Sequence, residues 1–272
     1  MSTRIDVISM PSAQERRAIF ASAARDARTP WQFVDACTAP PAELPYSDQA
    51  AVRRFGRALS RGEIGCFASH FEAWKSLLAS RDAQRIVLED DTIVDWSLMD
   101  RIAEVDFAAH GLDLVRFYST HPFKHSVAVQ RFLGPHTHLL QTSGMFLGTQ
   151  GYVLTREAAE RLVRLARGIT MPVDWFMNRY WAYGFRNYCL FPFPLIERFV
   201  PSEIGDRSEA PPVGAASRIV RQGWRVFDRV SRGFADHVRF RPNPFEPTED
   251  AGLSYVERRE RAEGRTSSAR AT

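Results

Sequence analysis

Short apolar runs alternate along this chain with amphipathic stretches of helical period, and that alternation admits an α/β fold and little else. Residues 5–8 read as a first strand. A helix is expected from Ser12, as N-cap, to about Arg25, and a second strand over Trp31 to Ala36. Residues 37–50, with three prolines, read as a loop. From Glu63 to Ser80, Ile64, Phe67, Phe71, Trp74 and Leu78 recur at spacings of three and four, the single apolar stripe of a core-facing helix. Ile86-Val87-Leu88 is a short buried strand. Further strands are expected within residues 114–118, 139–147, 152–154 and 188–191. Thr155 caps a helix running to Ala166, and Asp174 opens or caps another.

The pattern divides the chain into an α/β unit over residues 1–205, a Pro/Ala/Ser-rich linker at 206–217, an amphipathic helix at 218–241 and a tail at 242–272 expected to be mobile. The helix places Val220, Trp224, Phe227, Val230, Phe234 and Val238 on one stripe. It carries seven arginines against two aspartates, so it suits an anionic membrane interface or packing on protein, and the two stay open. At 44% hydrophobic residues the chain can bury one sizeable core. A net charge of +4 favours an anionic substrate such as a nucleotide diphosphate, and no nucleic-acid-binding motif is present. Cys37, Cys66 and Cys189 are odd in number and lack metal-ligand spacing, which argues for a reducing compartment. With no signal-peptide core and no run of eighteen apolar residues, the expected location is cytoplasmic, with peripheral attachment at the inner face of the membrane through 218–241.

Glu89-Asp90-Asp91 follows directly on the buried strand. Three adjacent carboxylates repel one another unless a cation joins them, and ligands of open α/β sheets sit beyond the carboxyl ends of strands. Hard oxygen donors there suit a phosphate-bound Mg²⁺ or Mn²⁺. Alternation along an extended chain has Glu89 and Asp91 sharing the ion while Asp90 faces elsewhere. A solvated acidic turn is the alternative. Asp174 is read as a general base or a helix cap, and His70 as a phosphate or metal contact or a buried, hydrogen-bonded histidine. Arg16 and Arg17 can reach a diphosphate or lie on an exposed helix face; Tyr152 and Trp74 read more readily as core aromatics than as sugar platforms. Gly144, Gly148 and Gly151 mark either close approach of the chain to a ligand or bends. Cys66 and His70 share one helix with no evident orienting acid, which makes a thiol nucleophile a poor reading and a core cysteine a better one.

Several blocks, in order, resemble glycosyltransferase family 25, the lipopolysaccharide and lipooligosaccharide glycosyltransferases related to collagen galactosyltransferases. They are Leu59-Ser60-Arg61-Gly62-Glu63-Ile64-Gly65-Cys66 with Ser69-His70 and Trp74, the strand ending in Glu89-Asp90-Asp91, and Gly151-Tyr152-Val153-Leu154-Thr155 with Ala158-Ala159. Pro172-Val173-Asp174, Phe193-Pro194-Leu195 and Ser202-Glu203-Ile204 follow. Ser9 stands where the family often has Asn, and Ala13 where Arg is frequent.

The resemblance implies a GT-A-like, Rossmann-like mixed sheet flanked by helices and a metal-dependent transfer, with inversion, of a hexose from a nucleotide sugar, commonly UDP-galactose. It further implies a glycan acceptor, often lipid-linked, in surface-glycan synthesis. In that scheme Glu89 and Asp91 hold Mn²⁺ or Mg²⁺, Arg16, His70, Asp90 and Tyr152 serve the donor, and Asp174 is the base. A metal-dependent nucleotide phosphoesterase and a non-catalytic carbohydrate-binding relative are the rival functions. Donor sugar, acceptor, linkage and oligomeric state have no sequence signature.

Overall fold

The computed structural model describes residues 3–198, 215–240, 244–245 and 253–263. The chain opens with β1 (Arg4–Ser9), α1 (Gln14–Ala23) and β2 (Trp31–Asp35), then α2 (Asp48–Arg54), α3 (Arg61–Ala79) and β3 (Gln84–Glu89). A short strand β4 (Thr92–Val94) leads to α4 (Trp96–Ala103), β5 (Leu114–Arg116), the hairpin β6 (Lys124–Gly134) and β7 (Thr137–Ser143), and β8 (Gly151–Thr155). After α5 (Arg156–Leu165), α6 (Val173–Met177) and α7 (Tyr180–Tyr183) come β9 (Tyr188–Phe191) and β10 (Leu195–Glu197). The described C-terminal residues form α8 (Ala215–Phe234), a π-helical turn (Ala235–Arg239) and α9 (Tyr255–Ala262).

Eight strands form one mixed sheet in the order β2-β1-β3-β8-β5-β9-β7-β6, and β4 pairs with β10 beside it. β1 lies parallel to both β2 and β3, while β8 is antiparallel to β3 and β5. Side chains alternate between two cores, as a pleated strand requires. Ile86 and Leu88 pack with Phe20 of α1, Met99 of α4 and Val256 of α9 on one face, whereas Val87 packs with Phe67 and Trp74 of α3 and Ala158 of α5 on the other. This is the GT-A-like, mixed α/β arrangement that the resemblance implies.

Local sequence explains the element that matters most for the site. Ser60 accepts a hydrogen bond from the Glu63 amide and Glu63 bonds back to the Ser60 amide, a complete capping box that fixes where α3 begins. Arg57 grips Glu63 through two hydrogen bonds of 2.7 and 2.6 Å. At α5 Thr155 caps as expected, accepting from the Ala158 amide at 3.2 Å.

Three expectations need correction. Ser12 does not cap α1, which starts at Gln14 after an uncapped Ala13. Asp174 does not cap α6 either: Pro172 holds that position and Asp174 sits in the first turn. The stretch beyond residue 242 is not uniformly without structure, because α9 has its own Ser254–Glu257 capping box and buries Val256 against the sheet. Within the expected linker, residues 215–217 already belong to α8; residues 206–214 and the Ser202-Glu203-Ile204 block lie outside the described residues.

Candidate functional site

The parallel strands β1 and β3 end side by side, and α3 runs past them, so their C-terminal ends make one wall of a pocket of about 400 Å³. Arg16, Cys66, His70, Glu89, Asp90 and Asp91 all line it. Glu89 is the last residue of β3, and Asp90 and Asp91 form the turn into β4. That turn is held by the Asp90 amide donating to the Ile8 carbonyl and by the Arg198 amide donating to the Asp91 carbonyl, at 3.2 and 2.6 Å.

Behind Glu89 lies a buried relay. The Trp74 indole N–H donates to the Tyr152 hydroxyl at 2.9 Å, and that hydroxyl lies 2.8 Å from His70 Nδ1. The Tyr152 hydroxyl thus joins the Trp74 indole to the His70 ring. Nε2 faces Glu89 Oε1 at 3.2 Å, and Thr149 Oγ1 donates to the same oxygen at 2.5 Å. Both hydrogen bonds fall on Oε1, so Glu89 is oriented while Oε2 remains available to the pocket. Burial pushes the Glu89 carboxyl up, but the bonds from His70 and Thr149 and the charge of fully buried Arg116 outweigh it and hold the pKa below the ordinary value.

Asp91 is the opposite case. Its Oδ1 is buried with no hydrogen-bond partner, and burial together with the charges of Glu89, Asp90 and Glu197 pushes its pKa up to about 7, against a smaller opposing effect from Arg16. A buried carboxylate oxygen without a donor, beside two further carboxylates, is an unmet demand for positive charge. The residues therefore fit a divalent cation. Cys66 Sγ, a His70 ring nitrogen and a Glu89 oxygen also lie within 4.8 Å of one another, a second donor set sharing Glu89. The His70 ring nitrogens are already hydrogen-bonded, and burial and the nearby carboxylates raise the Cys66 thiol well above its ordinary pKa. Asp91 is outside that converging set, but it lines the same pocket and adds a hard oxygen donor beside Glu89.

Several residues stand differently from the sequence reading. Asp90 does not face away: it lines the pocket, accepts from Ser9 Oγ at 2.6 Å and pairs with Arg16 Nε at 3.4 Å. The β-period fails because the strand has ended at Glu89. Arg17 points from the pocket toward β2, donating to the Ser9 carbonyl and to Asp35, with its guanidinium over the Phe33 ring. Tyr152 is fully buried behind His70 rather than on the pocket wall, which makes it a positioning group. His70 does have an orienting acid, Glu89, but burial and the nearby carboxylates raise the Cys66 thiol, which argues against an activated nucleophile. Gly151 serves packing, since a Cβ there would meet Leu195 at 2.4 Å and Leu88 at 2.9 Å.

Asp174 does not line the acidic pocket. It is half-buried, its Oδ1 accepts from the Trp175 amide at 2.8 Å, and its charge is felt at Cys66 and Arg116. Ser9, Thr149 and Arg116 were not singled out by sequence as ligands of the acidic turn. For Thr149 the one available signal was its place between two glycines that the chain already marked as bends.

A mixed α/β sheet with an acidic pocket at its strand ends defines a class that includes nucleotide-sugar transferases. The family model described as Glycosyltransferase family 25 (LPS biosynthesis protein) matches residues 2–177, and the chain belongs to that family. Procollagen galactosyltransferase 2 of Homo sapiens is 33% identical over 131 residues, 44% of this chain and 20% of that protein. The inactive glycosyltransferase 25 family member 3 of Homo sapiens is 30% identical over 131 residues, 45% of this chain and 21% of that protein. The matches thus span about a fifth of the length of these curated relatives. Among solved structures, the glycosyltransferase GlyE of Streptococcus pneumoniae aligns over 90% of this chain and 66% of that one, at 9% identity and a TM-score of 0.37.

Proposed function

We propose that this chain is a metal-dependent glycosyltransferase that moves a hexose from a nucleotide sugar, UDP-galactose by its relatives' example, with inversion onto a surface-glycan acceptor such as a lipopolysaccharide core. The observation that carries this is the unpartnered, buried Asp91 oxygen at the end of β3, beside an oriented Glu89. Glu89 and Asp91 would hold Mn²⁺ or Mg²⁺, which when bound would supply Lewis-acid stabilisation of the charge on the leaving diphosphate. Arg16, on the same wall, has a guanidinium to offer the diphosphate, and Asp90 positions that arginine. His70, backed by Tyr152, keeps Glu89 in place. Asp174 takes the proton of the attacking hydroxyl from outside the donor pocket.

The test is release of nucleoside diphosphate from a panel of nucleotide sugars, with Mn²⁺ or with chelator, for wild type and Asp91→Asn. Turnover of one donor that needs metal and falls at least about 100-fold in the variant is expected. Glycan binding indifferent to metal and donor, with no turnover, would establish a non-catalytic relative instead, the reading favoured by the match to an inactive family member.

No helix among the described residues is long and apolar enough to cross a membrane. α8 nevertheless leaves Val220, Trp224, Phe227, Val230 and Phe234 exposed along one face. We assign that face to the surface of an anionic membrane carrying a lipid-linked acceptor. Co-sedimentation with phosphatidylglycerol vesicles should weaken about tenfold for Phe227→Glu; equal sedimentation of the two proteins removes the membrane contact.

A further inference from the structure

α8 lies on the protein with its faces reversed from the usual order of a surface helix. Val220, Phe227, Val230 and Phe234 are exposed along its outward side, whereas Arg221, Arg225, Arg229 and Arg232 line a cleft toward the body and Trp224 packs under the Arg54 guanidinium of α2. The anchor is Asp228, whose Oδ2 accepts from Arg54 at 2.6 Å and whose Oδ1 lies 3.5 Å from Arg179. Between helix and body is a cleft of about 650 Å³. That volume suits one or two sugar rings.

The cleft is short of negative charge. Seven arginines line it, and Asp228 is its one acidic wall residue. Arg54 and Arg179 share Asp228, and Arg57 is taken by Glu63. Arg221, Arg225, Arg229 and Arg232 of α8 have no carboxylate partner among the described residues. The Nε of Arg221 is buried without a hydrogen-bond acceptor. Burial first, and then the charge of Arg225, lowers the pKa of Arg221, the mark of guanidinium groups crowded without a counterion.

Position ties this cleft to the reaction. Trp175 of α6 forms part of its wall, and the neighbouring Asp174 is close enough to the acidic pocket to be felt at Cys66. The first turn of α6 therefore stands close to both cavities, one acidic and one basic. A nucleotide-sugar diphosphate belongs with the cation at Glu89 and Asp91, which leaves the second cavity for the other substrate.

We infer that the cleft beneath α8 is the acceptor site, and that it takes a glycan bearing an oxyanion, a phosphate or a carboxylate, on the sugar next to the one that is modified. Arginine forks can engage two oxygens of either group at once, and an aromatic wall of Trp175 and Trp181 offers a surface for a sugar ring. A lipid headgroup is the less suited occupant, since the arginines face the body while the face open to a membrane is apolar. This inference rests on the transferase reading for the word acceptor.

The experiment is calorimetric titration of the full chain, without nucleotide sugar, with glucose 6-phosphate, glucuronate and glucose, for wild type and Arg225→Gln/Arg229→Gln. Circular dichroism checks that the variant is folded. The two anionic sugars should bind at least tenfold more tightly than glucose, and the double variant should lose at least tenfold of that affinity. Equal binding of charged and neutral sugar overturns the proposal, as does equal binding by the two proteins. A double variant that loses phosphatidylglycerol vesicles but keeps the sugars also overturns it, in favour of lipid headgroups. Because no donor is present, absence of donor turnover, which sinks the transferase reading, leaves this result to be judged separately.

Discussion

The two cavities close to α6 are opposites in charge and in how they are built. The acidic pocket draws on strand ends and on two helices, α1 and α3, and its three acids, Glu89, Asp90 and Asp91, are adjacent residues. The arginine cleft is joined by Arg54 and Asp228, which lie 174 positions apart. In the acidic pocket a sheet does the positioning, so the unmet charge is rigid and calls for a point cation. In the cleft a helix laid on afterwards does it, so the unmet charge is spread over flexible side chains and calls for a larger anion.

The residue close to both cavities offers the strongest test of that contrast. Asp174→Asn should lower transfer to any acceptor by at least about 100-fold, the usual reach of a lost general base. Initial rates with a working donor and acceptor measure it. An unchanged rate would take the base away from α6 and with it the placement of the acceptor there. Next in size is the anchor of the cleft. Asp228→Ala leaves Arg54 and Arg179 half-buried without their carboxylate, so α8 should lift and limited proteolysis within it should accelerate about tenfold, following the open population. A cleavage rate equal to wild type would mean that other contacts hold the helix. The smallest effect belongs to the relay behind the acidic pocket. Tyr152→Phe leaves the Trp74 indole N–H and His70 Nδ1 unpaired in the core, at a cost of about 2 kcal/mol. The melting midpoint should fall by about 4–8 °C. Mn²⁺ affinity should drop about tenfold, as expected when a group that orients a ligand is lost. A fall in the melting point with unaltered Mn²⁺ affinity would show that the relay serves packing alone.

The sequence is readable where one residue type dominates a local decision. The apolar stripe of α3 and the abrupt passage from Leu88 into carboxylates each have a physical meaning within a few residues, and the capping box at Ser60 and Glu63, which the reading passed over, is equally local. The structure bears out the helix and the strand. The hairpin strand β6 escaped notice because its first four residues are exposed and its register is interrupted twice, at Val127/Val129 and Val129/Gly134, which breaks the two-residue period. β4 and β10 are only three residues long, too short for any period to register. Asp90 was misdirected by a strand rule carried one residue past the strand's end. The cleft was out of reach for a different reason. Helical period in α8 separates arginines from apolar residues, but only tertiary contact decides which of the two faces turns inward.

The Asp91 turn is fastened from outside as well as from below. β4, which follows it, pairs with β10, and the Arg198 amide just past β10 donates to the Asp91 carbonyl. The acidic turn is thus tied to the end of β10, with Arg198 as the knot. Whatever fills the acidic pocket and stiffens the turn should slow hydrogen exchange at the Arg198 amide, so occupancy of that pocket can be read at a residue that does not line it.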